Sequence, residues 1–231
     1  MAQENKIVKV GHRGAMGYEP ENTLRSFKKA MELGADMIEL DVHICKSREL
    51  VINHEFSIDG TDNGRNMVSE KTLSELKNLD MGKGEKITTL PEVLDFFDKR
   101  IKVNIELKGR VTAKPVAKII KEYVEEKGWK YNDFLVSSFF FDELEKIAEL
   151  NPEIKTGVLT MKITPEMENF AKKIKAHSLN VSMEKATKQF VDEAHANGFK
   201  VFVWTPNTSD EIEKTKLAGA DYICSDFPEK I

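Results

Sequence analysis

Glu39, Asp41 and His43 alternate with Ile38, Leu40 and Val42, and Asn104, Glu106 and Lys108 alternate in the same way with Val103, Ile105 and Leu107. A period of two belongs to an extended strand, so each run puts its polar residues on one face and its apolar residues on the other. Where helices cover the outer face of a parallel sheet, the apolar residues point out to those helices and the acids must point inward. Three carboxylates cannot stay charged and unpaired in a low-dielectric centre, because desolvation costs several kcal/mol per ion. A divalent cation resolves the conflict. Oxygen donors from Glu39, Asp41 and Glu106 suit one hard ion, Mg²⁺, Ca²⁺ or Mn²⁺, and offer no thiolate to attract zinc.

Two histidines are expected beside that centre. His12 and Arg13 sit in Gly11-His12-Arg13-Gly14 directly after the first apolar run, and His54 follows Leu50 to Ile52. Paired imidazoles supply an acid and a base near neutral pH, each contributing roughly 10²- to 10⁴-fold when well placed. The flanking glycines let backbone approach a ligand closely, and the planar fork of Arg13 can grip a phosphate. His43 lies one pair of residues beyond Asp41 and is expected to rim the opening, whereas His177 and His195, near a strand start and a helix end, are set aside. Trp204 shares a strand face with Phe202 and reads as an apolar wall, which Phe139, Phe140 and Phe141 could extend. Pro20 is expected to open a helix with Glu21 at its positive end, and Glu21 also stands as a candidate ligand.

These residues need a scaffold that brings separate strands to one rim. Short apolar runs read as strands at Ile7 to Val10, Met37 to Ile44, Leu50 to Ile52, Ile101 to Leu107, Phe134 to Ser138, Ile154 to Leu159, Val201 to Trp204 and Tyr222 to Cys224, with a weaker one near His177 to Val181. Between them, apolar residues recur at helical spacing, as in Val116, Ile119, Ile120 and Tyr123. Gly34, Gly198 and Gly219 each close a helical pattern, and Thr208 with Glu211 forms a capping box. About eight strand-helix units predict a closed (β/α)8 barrel, whose active sites lie at the C-terminal ends of the strands. Residues 1–231 are expected to form a single domain. Phe56 to Lys86 breaks the rhythm and reads as a small insertion over the barrel mouth, with a turn cluster at Gly60 to Gly64 and a helical piece at Leu73 to Leu76.

Bulk properties agree. The 231 residues carry 35 Lys plus Arg against 39 Asp plus Glu, hence 35 − 39 = −4, mixed along the chain rather than gathered for a nucleic-acid partner. No run approaches the roughly 20 apolar residues of a membrane span, and with Met1 taken as the initiator the expectation is a cytoplasmic protein without stable membrane insertion. Cys45 and Cys224 show no metal or redox spacing and read as buried thiols.

The ordered set Gly11-His12-Arg13-Gly14, Pro20-Glu21-Asn22-Thr23, Glu39-Leu40-Asp41-Val42, His54, Asn104-Ile105-Glu106-Leu107-Lys108 and Trp204-Thr205 closely resembles the glycerophosphodiester phosphodiesterase family, from Gly11 to Pro228. The resemblance implies metal ligands at Glu39, Asp41 and Glu106, acid and base roles for His12 and His54, and phosphate contacts from Arg13 and Lys108. It implies hydrolysis of a small-molecule glycerophosphodiester to sn-glycerol 3-phosphate and an alcohol. The chain departs from the family at Glu55, where Asp is common after the second His, and at Asp62 in the insertion, so Glu55 is kept as a candidate site residue. Competing readings are a phospholipase D-like enzyme acting on lipid diesters and a phosphate-ester binding protein without turnover.

Overall fold

A computed structural model describes residues 6–58 and 66–231. Along the chain come β1 (Val8–Gly11), α1 (Leu24–Glu32), β2 (Met37–Ile44), β3 (Leu50–Ile52), α2 (Leu73–Leu76), α3 (Leu90–Phe97), β4 (Lys102–Leu107), α4 (Ala113–Lys127), β5 (Phe134–Ser138) and α5 (Phe141–Leu150). They continue as β6 (Lys155–Thr160), α6 (Pro165–Lys173), β7 (Ser178–Ser182), α7 (Lys188–Ala196), β8 (Lys200–Trp204), α8 (Ser209–Ala218) and β9 (Tyr222–Ser225). The sheet runs β1-β9-β8-β7-β6-β5-β4-β2, and β1 pairs with β2, which closes a parallel barrel. The strand β3 lies outside that ring, antiparallel on β2. Side-chain oxygens of Thr23, Thr72, Thr89, Thr164, Thr187 and Thr208 cap helices, and Thr208 forms its box with Glu211 as its spacing predicts.

The alternation on β2 and β4 has the expected consequence. Ile38, Leu40, Val42, Val103, Ile105 and Leu107 are buried in the cluster shared with α1, α3 and α4. The register aligns Glu39 with Asn104 and Asp41 with Glu106, so both polar rows face the interior side by side. Beneath them Val10, Met37, Leu135, Phe202 and Cys224 plug the barrel. His177 and His195 lie at the other end of the strands, bonded to the Tyr222 hydroxyl at 2.9 Å and to Asp221 at 2.7 Å. Among the described residues, no helix is long and apolar enough to cross a membrane.

One expectation at the first loop is corrected. Pro20 does not open a helix: α1 starts at Leu24, with Thr23 as its cap, because the Thr23 hydroxyl accepts from Ser26 N while Asn22 takes a left-handed φ of 57°. Pro20 and Glu21 therefore belong to the loop, and Glu21 is free to turn toward Arg13. Val68 and Leu76 of the insertion pack into a separate cluster with Cys45, Val51 and Ile87, and the insertion's far end reaches the loop after β1 through Lys83 Nζ, which donates to Tyr18 O at 3.0 Å. The cluster Gly60 to Gly64, with Asp62, lies outside the described residues.

Candidate active site

The inward faces of β2 and β4 bring Glu39, Asp41 and Glu106 together, with one carboxylate oxygen from each lying within 4.8 Å of the others. Glu39 and Asp41 are 4% and 1% exposed, so water does little to screen this crowding. Burial first, and then the charges of Asp41 and Glu106, push the Glu39 carboxyl well above its ordinary range. Burial, then Asp41, pushes Glu106 up to about 7 against the opposing pull of Lys108 and Arg13. Part of the charge is met by protein. Arg13 N donates to Glu39 Oε2 at 2.9 Å, Asn22 Nδ2 donates to Asp41 Oδ2 at 2.9 Å, and Arg13 Nε stands 3.4 Å from that same oxygen. Lys108 Nζ lies 3.4 Å from Glu106 Oε1 as an ion pair, yet neither that oxygen nor Asp41 Oδ1 accepts a hydrogen bond. Buried acceptors without donors are costly. An oxygen-liganded divalent cation is the chemistry these donors fit.

The two site histidines are wired differently. His12 Nδ1 is 2.7 Å from Asp226 Oδ1, and since a carboxylate only accepts, Nδ1 carries the proton of that bond. Burial raises the Asp226 carboxyl, but the hydrogen bond and charge of His12, the bond from Asn207 and the charge of Arg13 outweigh it and hold it below its ordinary value. His54 Nδ1 is 2.6 Å from Glu55 Oε1, and its Nε2 is 3.0 Å from Lys108 Nζ. An ammonium only donates, so this Nε2 presents a lone pair. His43 is buried near the end of β2 and packs edge-on against Phe56 at 5.1 Å, while its Nε2 meets the His54 carbonyl at 3.3 Å.

A cavity of about 100 Å³ joins these groups, lined by His12, Arg13, Glu39, His54, Glu106 and Lys108 on one side and by Phe139, Leu159, Phe202, Trp204 and Cys224 on the other, with Asn104 and Ser137 between. Trp204 thus stands where its strand face puts it, with Phe139 edge-on to it at 6.1 Å. Phe140 and Phe141 do not extend the wall: Phe140 lies under the Arg110 guanidinium and Phe141 stacks on Phe170. Glu21 falls outside the carboxylate cluster and pairs with Arg13 Nη1 at 2.9 Å, and Glu55 holds His54. Sequence reading missed Asp226 and Asn207. Their position immediately after β9 and just beyond β8, at the rim where His12 follows β1, is the signal that could have drawn attention to them.

The family model "Glycerophosphoryl diester phosphodiesterase family" matches residues 12–230. A protein of Caldanaerobacter subterraneus subsp. tengcongensis named glycerophosphodiester phosphodiesterase is 36% identical, over 98% of this chain and 96% of its own. One of that name from Bacillus altitudinis is 33% identical, over 95% of this chain and 94% of its own. A solved structure of an Oleispira antarctica phosphodiesterase, in complex with the product sn-glycerol-3-phosphate, superposes with a TM-score of 0.86 at 28% identity and covers 96% of this chain and 94% of that one.

Proposed function

The chain belongs to the glycerophosphoryl diester phosphodiesterase family, and from that premise we propose that it hydrolyses glycerophosphodiesters to sn-glycerol 3-phosphate and an alcohol, with the barrel and its insertion acting as a single domain. The observation that carries this reading is the convergence of three inward carboxylates, two of them buried, with two differently wired imidazoles at the C-terminal end of the barrel. The product held by the Oleispira antarctica relative supports the same substrate class. Glu39, Asp41 and Glu106 would hold one divalent cation, Mg²⁺, Ca²⁺ or Mn²⁺, which when bound supplies Lewis-acid stabilisation of charge on the phosphoryl oxygens.

The chain's own groups do the rest. Arg13 and Lys108 bring positive charge to the phosphate in a cavity with an apolar wall, where such charge acts strongly. His54, its Nδ1–H held by Glu55, takes the proton of the attacking hydroxyl on Nε2 once Lys108 turns to the phosphate. His12 delivers a proton from Nε2 to the leaving oxygen as its bond to phosphorus breaks, and Asp226 stabilises the imidazolium that precedes this step. Phe139, Leu159 and Trp204 face the alcohol.

Incubation with glycerophosphocholine and each of the three metals, with enzymatic detection of sn-glycerol 3-phosphate, tests the proposal. Product with at least one metal and none in excess chelator is expected. No product with any metal, or equal turnover in chelator, rejects it. A lipid-diester reading has one observation in its favour: exposed Phe139, Met161 and Ile163 follow β5 and β6, and Phe139 is itself part of the apolar wall. Faster turnover of lysophosphatidylcholine than of glycerophosphocholine would favour that second reading.

A further inference from the structure

His12 is not merely near a carboxylate; it is tied to a chain of hydrogen bonds with a defined end. Gly11 at the end of β1 pairs with Ser225 at the end of β9, and His12 N donates to Ser225 O at 3.0 Å, so the backbones of His12 and Asp226 leave one ladder side by side. Asp226 Oδ1 faces His12 Nδ1 at 2.7 Å, and Asp226 Oδ2 accepts from Asn207 Nδ2 at 2.7 Å. Asn207 Oδ1 in turn accepts from Asp226 N at 2.9 Å and from the Ser225 hydroxyl at 3.0 Å. Asn207 is itself anchored, because its N–H donates at 2.9 Å to Glu211, the acid of the α8 capping box. Both carboxylate oxygens have a partner, and the amide that holds one of them cannot flip without placing a donor against the Asp226 N–H.

We propose that Asp226, locked by Asn207, is a positioning residue that fixes the tautomer and ring orientation of His12, so that Nε2 is the ring nitrogen left to the substrate. The inference deepens the hydrolytic reading above and rests on it for its kinetic consequences. Among the described residues, His54 has no equivalent lock. Its partner Glu55 is its own chain neighbour and is 43% exposed, against 20% for Asp226.

The substitution Asp226→Asn breaks the arrangement whichever way the new amide turns. With oxygen toward His12, its NH₂ meets the NH₂ of Asn207. With NH₂ toward His12, Nδ1 must accept and the tautomer reverses. The expected result is a roughly 10²- to 10⁴-fold fall in kcat with KM for glycerophosphocholine changed by no more than about threefold. Asn207→Ala, which keeps the carboxylate and frees its rotation, is expected to lower kcat by about tenfold. The second readout is the downfield proton resonance of His12 Nδ1–H, identified by its loss in His12→Ala, present in the wild type and absent in Asp226→Asn. Wild-type kcat in a folded Asp226→Asn protein, or a resonance that persists there, overturns the proposal. So does an Asn207→Ala protein whose kcat and resonance match the wild type, which decides the matter should Asp226→Asn fail to fold. A wild type that hydrolyses no glycerophosphodiester yet loses the resonance on Asp226→Asn overturns the functional reading while supporting the positioning one.

Discussion

The two sides of the barrel mouth are built from the same strand-helix unit and present opposite chemistry. On the β2 and β4 side, Glu39, Asp41, Asn104 and Glu106 crowd carboxylate and amide oxygens into the interior, and acceptors on Asp41, Asn104 and Glu106 find no donor. On the β6 to β9 side, Leu159, Phe202, Trp204 and Cys224 line the cavity with carbon and sulfur, and the buried atoms without a partner there, among the described residues, are the donors Trp204 Nε1 and Asn180 Nδ2. The difference teaches where each part of the chemistry can occur. Charge must be handled on the acidic side, while the opposite wall excludes water and so lowers the dielectric through which those charges act.

The largest effects should therefore come from the acidic side. Glu106→Ala or Glu39→Ala is expected to cut kcat/KM for glycerophosphocholine on the order of 10³-fold or more, in step with lost affinity for the divalent cation in a direct titration. A variant that keeps metal affinity and turnover would erase the contrast between the two walls. His12→Ala and His54→Ala are each expected to lower kcat by roughly 10²- to 10⁴-fold while metal affinity stays near wild type, which separates proton transfer from metal binding on the same side.

Stability against pH sharpens the comparison further. The Glu106 carboxyl is pushed up to about 7 by burial and by Asp41, so between the ordinary carboxylate range and neutrality the folded chain binds more protons than the unfolded one. Without metal, that contribution to stability is fully present below about pH 4 to 5 and is lost as pH rises through 7. A protein in chelator should melt lower at pH 8 than at pH 5, by roughly 5–10 °C if Glu106 acts alone. Saturating Mg²⁺, Ca²⁺ or Mn²⁺ should shrink or reverse the difference, because the cation replaces the proton as partner of the acids. A thermal melt at the two pH values, with and without metal, checks the sign.

How much of this was legible in the sequence depended on distance along the chain. The carboxylates were readable because residues 38–44 and Lys102–Leu107 each show a strict period of two, and local alternation fixes a face without knowledge of the fold. Thr208 with Glu211 was readable for the same reason, since a capping box lies within one helical turn. The His12 to Asp226 bond joins residues 214 apart and exists only because β9 closes the ring against β1, so no local pattern announces it. Pro20 misled because its preference for a first helical turn was overridden by a better cap three residues on, in Thr23, and by the left-handed Asn22 between them.

The smallest effect belongs to the apolar wall, and it tests whether that wall reads the alcohol or only fills space. Trp204 is half-buried at the end of β8, with Phe139 against its ring, and its removal leaves the plug of Val10, Met37, Leu135 and Phe202 in place. Trp204→Ala is expected to raise KM for glycerophosphocholine on the order of tenfold with kcat changed far less, since an apolar contact made equally in ground and transition state is uniform binding. Trp204→Phe keeps an aromatic face but deletes Nε1, a buried donor without a partner. If the wall acts by apolar contact, Phe should restore most of the lost affinity. If Nε1 donates to the substrate, Phe should behave like Ala, because the deleted donor and not the lost area then decides binding. A steady-state comparison of the two variants therefore distinguishes a wall that only excludes water from one that also recognises a polar atom, and the second result would make the two sides of the mouth less unlike than their side chains suggest.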